Sequence, residues 1–125
     1  MSRTILIADD EAHLRSLLHQ TLEELEDEGV ELITAANGEE ALAAIESAKP
    51  DLVFLDVMMP KLSGFDVCSR TKNGLGLRDI YIVLLTAKGQ EFDRQKGHDV
   101  GADLYMTKPF DPDALLQKAR DVLGL

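Results

Sequence analysis

The sequence predicts one α/β domain spanning residues 1–125, built on a five-stranded parallel sheet with helices on both faces. Three observations carry that prediction. Short apolar runs rich in β-branched residues alternate with longer stretches of helical periodicity, which is the pattern of parallel strands joined by crossover helices. Three of the runs, Ile5-Leu6-Ile7, Leu52-Val53-Phe54-Leu55 and Ile80-Tyr81-Ile82-Val83-Leu84-Leu85, are apolar nearly throughout, as strands covered on both faces must be. A chain of 125 residues with 45% hydrophobic side chains can fill one core of ordinary density.

The first strand runs over Thr4–Ala8. The helix after it, about Glu11–Glu26, repeats Leu14, Leu17, Leu18, Leu22 and Leu25 at three- and four-residue steps, an apolar stripe to lay on the sheet. Glu31–Ala35 forms the second strand. Asn37-Gly38 then opens a helix carrying Ala41, Leu42 and Ile45, and Lys49-Pro50 closes it, since proline disfavours helical geometry in the residue before it. The third strand, Leu52–Leu55, leads to a helix over Gly64–Thr71 and a loop at Asn73-Gly74-Leu75-Gly76. After the fourth strand, Tyr81–Leu85, a fourth helix is expected over Phe92–Val100, ending at Gly101. It has few apolar anchors and an internal glycine, so its intrinsic stability is low. The fifth strand is Leu104–Thr107. The last of the five helices starts at Pro112 with Asp111 as cap and buries Leu115, Leu116, Ala119, Val122 and Leu123. The apolar first, third and fourth strands belong in the centre and the more polar second and fifth at the edges, the flavodoxin-like order 2-1-3-4-5.

Composition narrows the partners. A net charge of −10 and a pI near 4.6 argue against direct contact with nucleic acid or anionic lipid, which select basic surfaces. The single cysteine, Cys68, excludes an internal disulfide and reads as a small helix hydrophobe. With neither a basic, apolar leader nor an apolar run of membrane-spanning length, a cytoplasmic setting is expected.

In an open parallel sheet, ligands bind beyond the carboxyl ends of the strands, and those positions here are polar. Asp9-Asp10 follow the first strand, Asp56 the third, Thr86-Ala87-Lys88 the fourth and Lys108-Pro109 the fifth. Two carboxylates about 4 Å apart repel by about 4 kcal/mol at an effective dielectric near 20, so a third calls for a cation. Oxygen donors without clustered His or Cys favour a hard ion. Few protein carboxylates leave positions for water and phosphate oxygens, which points to Mg²⁺ over Ca²⁺. Phosphoryl transfer needs positioning and charge neutralisation, which a metal, Lys108 and the Thr86 hydroxyl could supply around an Asp56 nucleophile. His13, His19 and His98 lack the helical spacing of paired metal ligands and read as surface residues.

The ordered set Asp9-Asp10, Asp56 with Met59-Pro60 and Gly64, Thr86-Ala87, and Lys108-Pro109-Phe110 resembles the receiver domain of two-component response regulators over essentially the whole chain. The resemblance implies that Asp56 accepts a phosphoryl group from a histidine kinase or phosphotransfer protein. It implies Mg²⁺ held by Asp10, Asp56 and the main-chain carbonyl of Met58, with Asp9 acting through water. Thr86 and Lys108 match residues that contact phosphoryl oxygens, and Tyr105 matches the aromatic that swings inward as the threonine moves. Lys108-Pro109 is expected to be cis. Phosphorylation would change the face formed by the fourth helix, fifth strand and last helix, for an effector, an output domain or a second copy; Lys96, Asp99, Asp103, Lys118 and Arg120 offer both charge signs there. Leu104, Met58 and Lys88 depart from or vary within the family pattern, which bears on phosphoryl lifetime and dimer contacts.

Each residue also has a plainer reading: Asp10 as a helix cap, Asp9 as a solvated charge, Asp56 as a turn residue, Thr86 as an ordinary strand residue, Lys108 as an exposed charge and Tyr105 as edge-strand packing. Two functional rivals remain. A phosphatase of the haloacid dehalogenase type needs an acid two residues after its nucleophile, where Met58 stands. A receiver-like interaction module that takes no phosphate would not need the acidic, Thr and Lys set.

Overall fold

Strands β1 (Arg3–Ala8), β2 (Val30–Ala35), β3 (Leu52–Asp56), β4 (Tyr81–Ala87) and β5 (Leu104–Lys108) pair in parallel throughout. Their order is β2-β1-β3-β4-β5, as the sequence predicts. The structure, a computed structural model, describes residues 3–87, 95–96 and 98–125. Among these, no helix is long and apolar enough to cross a membrane.

Alternation along the central strands divides the core into two layers. Leu6, Ala8, Val53, Leu55, Ile82 and Leu84 face helices α2 (Gly38–Ala48) and α3 (Gly64–Ser69), meeting Ala41, Ile45, Phe65, Val67 and Cys68. Ile5, Ile7, Leu52, Phe54, Val83 and Leu85 face α1 (Ala12–Leu22) and the C-terminal helix (Pro112–Leu123), meeting Leu18, Leu22, Leu115, Ala119 and Leu123. The buried cysteine is one of these packing residues, and burial pushes its thiol up to about 12.

The helix ends follow local chemistry. Asn37 caps α2 by accepting from the Glu40 N–H at 2.9 Å, while the Glu40 carboxylate accepts from the Ala36 N–H at 3.0 Å. Lys49 closes α2 in the left-handed region before Pro50. Asp111 caps the C-terminal helix, with proline in its first turn.

Several boundaries differ from the sequence reading. The first α-helix stops at Leu22, and Glu23–Glu28 continues as a tighter 3₁₀ turn that still buries Leu25. Five acids crowd those six residues, and anions oppose the negative end of a helix. The stripe is narrower than its spacing suggests, since Leu17 is exposed and Leu14 half-buried. The segment Arg70–Gly74, part of it expected as loop, forms a wide π-type turn. Of the fourth helix, residues 92–94 and 97 lie outside the described residues, as does Lys88. Gln95–Lys96 and His98–Asp99 are helical, and Gly101 has φ 91°.

The charges expected to be available on the face near β5 have partners within the chain. Arg120 pairs with Glu24 at 2.7 Å and Glu28 at 2.8 Å, joining the C-terminal helix to the segment Glu23–Glu28 that follows α1. Lys118 lies over the Tyr81 ring and Lys96 over the Phe65 ring. Gln95 donates to Asp99. Asp103 is exposed but not free: one carboxylate oxygen accepts from the Ile82 N–H and from Lys72 Nζ, both at 2.8 Å. Lys72 is buried in the π-type turn and also donates to the Arg78 carbonyl. The pair thus joins the turn after α3 to the starts of β4 and β5.

Removing one partner of a buried ion pair costs about 3–5 kcal/mol. Asp103 keeps 31% of its side chain in water, which softens the loss. Lys72→Met should therefore lower unfolding free energy by about 3 kcal/mol in urea denaturation, and Lys118→Met, which loses only a half-buried ring contact, by less than about 1 kcal/mol.

Candidate functional site

The parallel register sets four polar side chains along one edge of the sheet. Asp56 pairs with Leu85, Thr86 with Thr107, and Ala87 with Lys108, while Asp9 follows the last residue of β1. Asp56 and Lys108 are the last residues of their strands and Thr86 the last but one, so these three strands run one or two residues past the ends expected from sequence. There the strand ladder continues, as in the Val57 N–H that donates to the Leu85 carbonyl at 2.9 Å.

Lys108 is the hub. Its Nζ lies 3.0 Å from Asp9 Oδ2 and 3.0 Å from Asp56 Oδ1. Asp9 is wholly buried and Asp56 nearly so. Burial alone would lower the Lys108 pKa, but its hydrogen bonds to the Asp9 and Asp56 carboxylates outweigh it, and the ammonium titrates above its usual value. Burial instead pushes Asp56 up, from 3.8 to about 6; the Asp9 charge adds to the rise, and Lys108 and the Met58 N–H oppose it. Lys108 already contacts the Asp56 carboxylate in this structure.

The loop after β1 has a different construction. Asp9 Oδ1 accepts from the Glu11 N–H at 2.9 Å, and Arg15 Nη1 donates to the Asp9 carbonyl at 2.7 Å. The N-cap of α1 is Glu11 and no side chain caps the helix, so Asp10 does not perform the capping role considered for it. Asp10 is exposed. One oxygen from each of Asp9, Asp10 and Asp56 lies within 4.8 Å of the others. Three hard oxygen donors converging beside a single ammonium fit a hard divalent cation.

The loop after β3 is fastened from both sides. A Cβ at Gly64 would collide with the Asp56 carbonyl oxygen, and the Gly64 N–H donates to the Val57 carbonyl at 2.8 Å. A Cβ at Gly38 would collide with the Leu62 carbonyl, and the Gly38 N–H reaches the Pro60 carbonyl at 3.4 Å. Ser63 and Asp66 form a capping box at α3, and Lys61 takes a φ of 73°. Met59 is buried while the Met58 side chain is 72% exposed, so the Met58 side chain stands away from the core at the site's mouth. The Gly38 brace was not read from the sequence, where Asn37-Gly38 signalled only a helix start.

Thr86 is buried at the edge of the same cluster. Tyr105 is half-buried, pairs in register with Leu84 and packs against the layer that includes Val100 and Ala102. Lys108-Pro109 is cis, as expected. His13 and His98 are exposed and His19 partly so.

A doubly wound α/β fold with an acidic, lysine-bridged cluster at its carboxyl edge defines a class, and comparison with known proteins agrees. The family model for the response regulator receiver domain matches residues 5–120. The chain is 44% identical over 123 residues to the alkaline phosphatase synthesis transcriptional regulatory protein PhoP of Bacillus subtilis, covering 98% of this chain and 49% of that protein. It is 43% identical over 123 residues to the phosphate regulon transcriptional regulatory protein PhoB of Pseudomonas aeruginosa, covering 98% of this chain and 52% of that protein. Among solved structures it resembles a response regulator from Chloroflexus aurantiacus with a TM-score of 0.86, 32% identity and full coverage of both chains. It resembles chemotaxis protein CheY4 of Vibrio cholerae with a TM-score of 0.84 and 33% identity, covering 98% of this chain and 99% of that one. This chain belongs to the response regulator receiver domain family. It spans about half the length of the curated relatives it matches.

Because the Asp56 pKa is raised in the folded protein, the folded state holds this proton more tightly than the unfolded state. The associated stability is present below about pH 4 and is lost as pH rises toward 6. A rise from 3.8 to about 6 corresponds to about 3 kcal/mol. In buffer containing EDTA, Asp56→Asn should therefore be more stable than wild type at pH 7.5, by an amount on this order. The difference should vanish near pH 4, as read by thermal melts across that range.

Proposed function

We propose that this chain is a phosphorylation switch in which Asp56 accepts a phosphoryl group from a histidine kinase or a histidine phosphotransfer protein. The observation that carries the reading is the meeting of Asp9 and Asp56 on Lys108, with Asp10 close enough to complete an oxygen-donor site.

Asp10, Asp56 and the main-chain carbonyl of Met58 would hold Mg²⁺, with Asp9 acting through water. When bound, the ion supplies charge neutralisation for the phosphoryl oxygens and favours the ionised carboxylates. The rest is the work of side chains. An Asp56 carboxylate oxygen bonds to phosphorus as the donor's phosphorus–nitrogen bond breaks, the electron pair leaving on the imidazole nitrogen. Lys108 keeps its ammonium beside the acceptor and offers N–H groups to the incoming oxygens, and Thr86 offers its hydroxyl. The phosphorylated aspartate carries about −1.5 to −2 charge. Movement of Thr86 toward it makes room for Tyr105 to turn inward, which alters the surface between residues 95–96 and 98–100, β5 and the C-terminal helix.

That surface would engage an effector or an output domain. The named relatives are transcriptional regulators about twice as long as this chain. DNA contact is assigned outside this acidic domain, which acts in the cytoplasm as a switch and not as an enzyme on separate substrates. A phosphorylation-dependent dimer through the same surface would have to compete with internal partners for Asp103 and Arg120. The phosphatase alternative is disfavoured by Met58, an apolar residue where that chemistry needs an acid.

Incubation with a small phosphodonor such as acetyl phosphate and Mg²⁺ should give one acid-stable, hydroxylamine-labile phosphoryl adduct by intact mass measurement. The adduct should be absent in EDTA and in Asp56→Asn. Adduct formation unchanged by that substitution would falsify the assignment.

A further inference from the structure

Arg15 uses its guanidinium in a way that charge neutralisation does not explain. It sits one turn into α1, beside the acidic pair of the preceding loop. An arginine next to carboxylates ordinarily takes one in a two-pronged ion pair. Here Nη1 donates to the neutral main-chain carbonyl of Asp9 at 2.7 Å. Among the described residues Arg15 forms no ion pair.

The two carboxylates beside it have different fates. Asp9 is committed to Lys108 and to the Glu11 N–H. Asp10 is exposed and, among the described residues, makes no side-chain hydrogen bond or ion pair. Holding the Asp9 carbonyl fixes the plane of the Asp9-Asp10 peptide and with it the direction in which the Asp10 side chain leaves the backbone. No side-chain cap performs this task at the start of α1. The Arg15 N–H also donates to the Glu11 carbonyl at 3.0 Å, so the turn is tied to the helix by both main chain and guanidinium.

We propose that Arg15 is a positioning residue for the cation site: its hydrogen bond to the Asp9 carbonyl aims the Asp10 carboxylate at Asp56 while leaving that carboxylate uncommitted. This rests on the reading that Asp10 and Asp56 share a divalent ion. Charge and position make opposite predictions. Deleting a positive charge near a cation site should, by electrostatics alone, tighten Mg²⁺ binding. Loss of a positioning bond should weaken it, by about 10-fold on the scale of other outer-shell contacts.

The test is Mg²⁺ titration by calorimetry of the wild type, Arg15→Met, and Arg15→Gln, which serves if the first does not fold. Both variants should raise the Kd by about 10-fold. In EDTA, amide exchange at Glu11, whose N–H reports the loop through Asp9 Oδ1, should be faster than in wild type. Val122→Ala, a destabilising change on the C-terminal helix, should leave the Kd unaltered. A Kd that is unchanged or lower in the Arg15 variants overturns the proposal while leaving the site intact. An equal rise in Val122→Ala overturns it as well, by showing a general effect of stability. A wild type that binds no Mg²⁺ overturns the site reading and this inference together.

Discussion

One ammonium group at the end of β5 meets carboxylates from the ends of β1 and β3, and the arrangement of the whole domain serves that meeting. Since β4 stands between β3 and β5, the tips that carry Asp56 and Lys108 are roughly 10 Å apart at the usual strand spacing. The lysine stem, the aspartate side chain and the hydrogen bond between them together close such a gap, and the stem ends in a compact charge. The contact therefore depends on all the intervening ladder bonds being in register. A one-residue slip of β5 would turn Lys108 to the opposite face. Apolar layers on both sides of the sheet prevent that slip, because each layer accepts only alternate side chains. Core packing and site chemistry are thus one constraint seen at two distances.

The same meeting explains why the pocket is poised. Asp56 is driven toward its neutral form by burial and by Asp9, and drawn back by Lys108 and the Met58 N–H. Neither tendency dominates completely. A buried carboxylate in this balance is sensitive to any additional positive charge, which is the property the proposed cation-dependent acceptor role needs.

How far the sequence could be read depended on whether the cause was local. Strand order followed from the contrast between Leu52-Val53-Phe54-Leu55, buried on both faces, and the more polar β2. Asp9, Asp10, Asp56, Thr86 and Lys108 were legible because strand ends in a parallel sheet are chemically privileged positions. Contacts between distant segments left no such trace. Lys72 reads as an ordinary helix-surface lysine until the fold brings Asp103, 31 positions away, against it. Arg120 likewise reads as a free surface charge, yet its partners lie on the 3₁₀ turn. Arg15 is intermediate: a basic residue soon after an acidic pair invites an ion pair, and only coordinates reveal that a carbonyl takes its place. The 3₁₀ and π-type turns were missed because apolar spacing alone does not reveal where helical winding tightens or widens.

Gly38 touches none of the groups that do chemistry, yet its missing side chain is filled by the backbone of the loop after β3. Every other amino acid adds an atom at that point, and the obstacle is main chain, which has no alternative rotamer to adopt. In a map of mutational tolerance, position 38 should therefore look as intolerant as the pocket itself. Such intolerance would record the thickness of a joint between two loops, and would be easily mistaken for a role in the reaction.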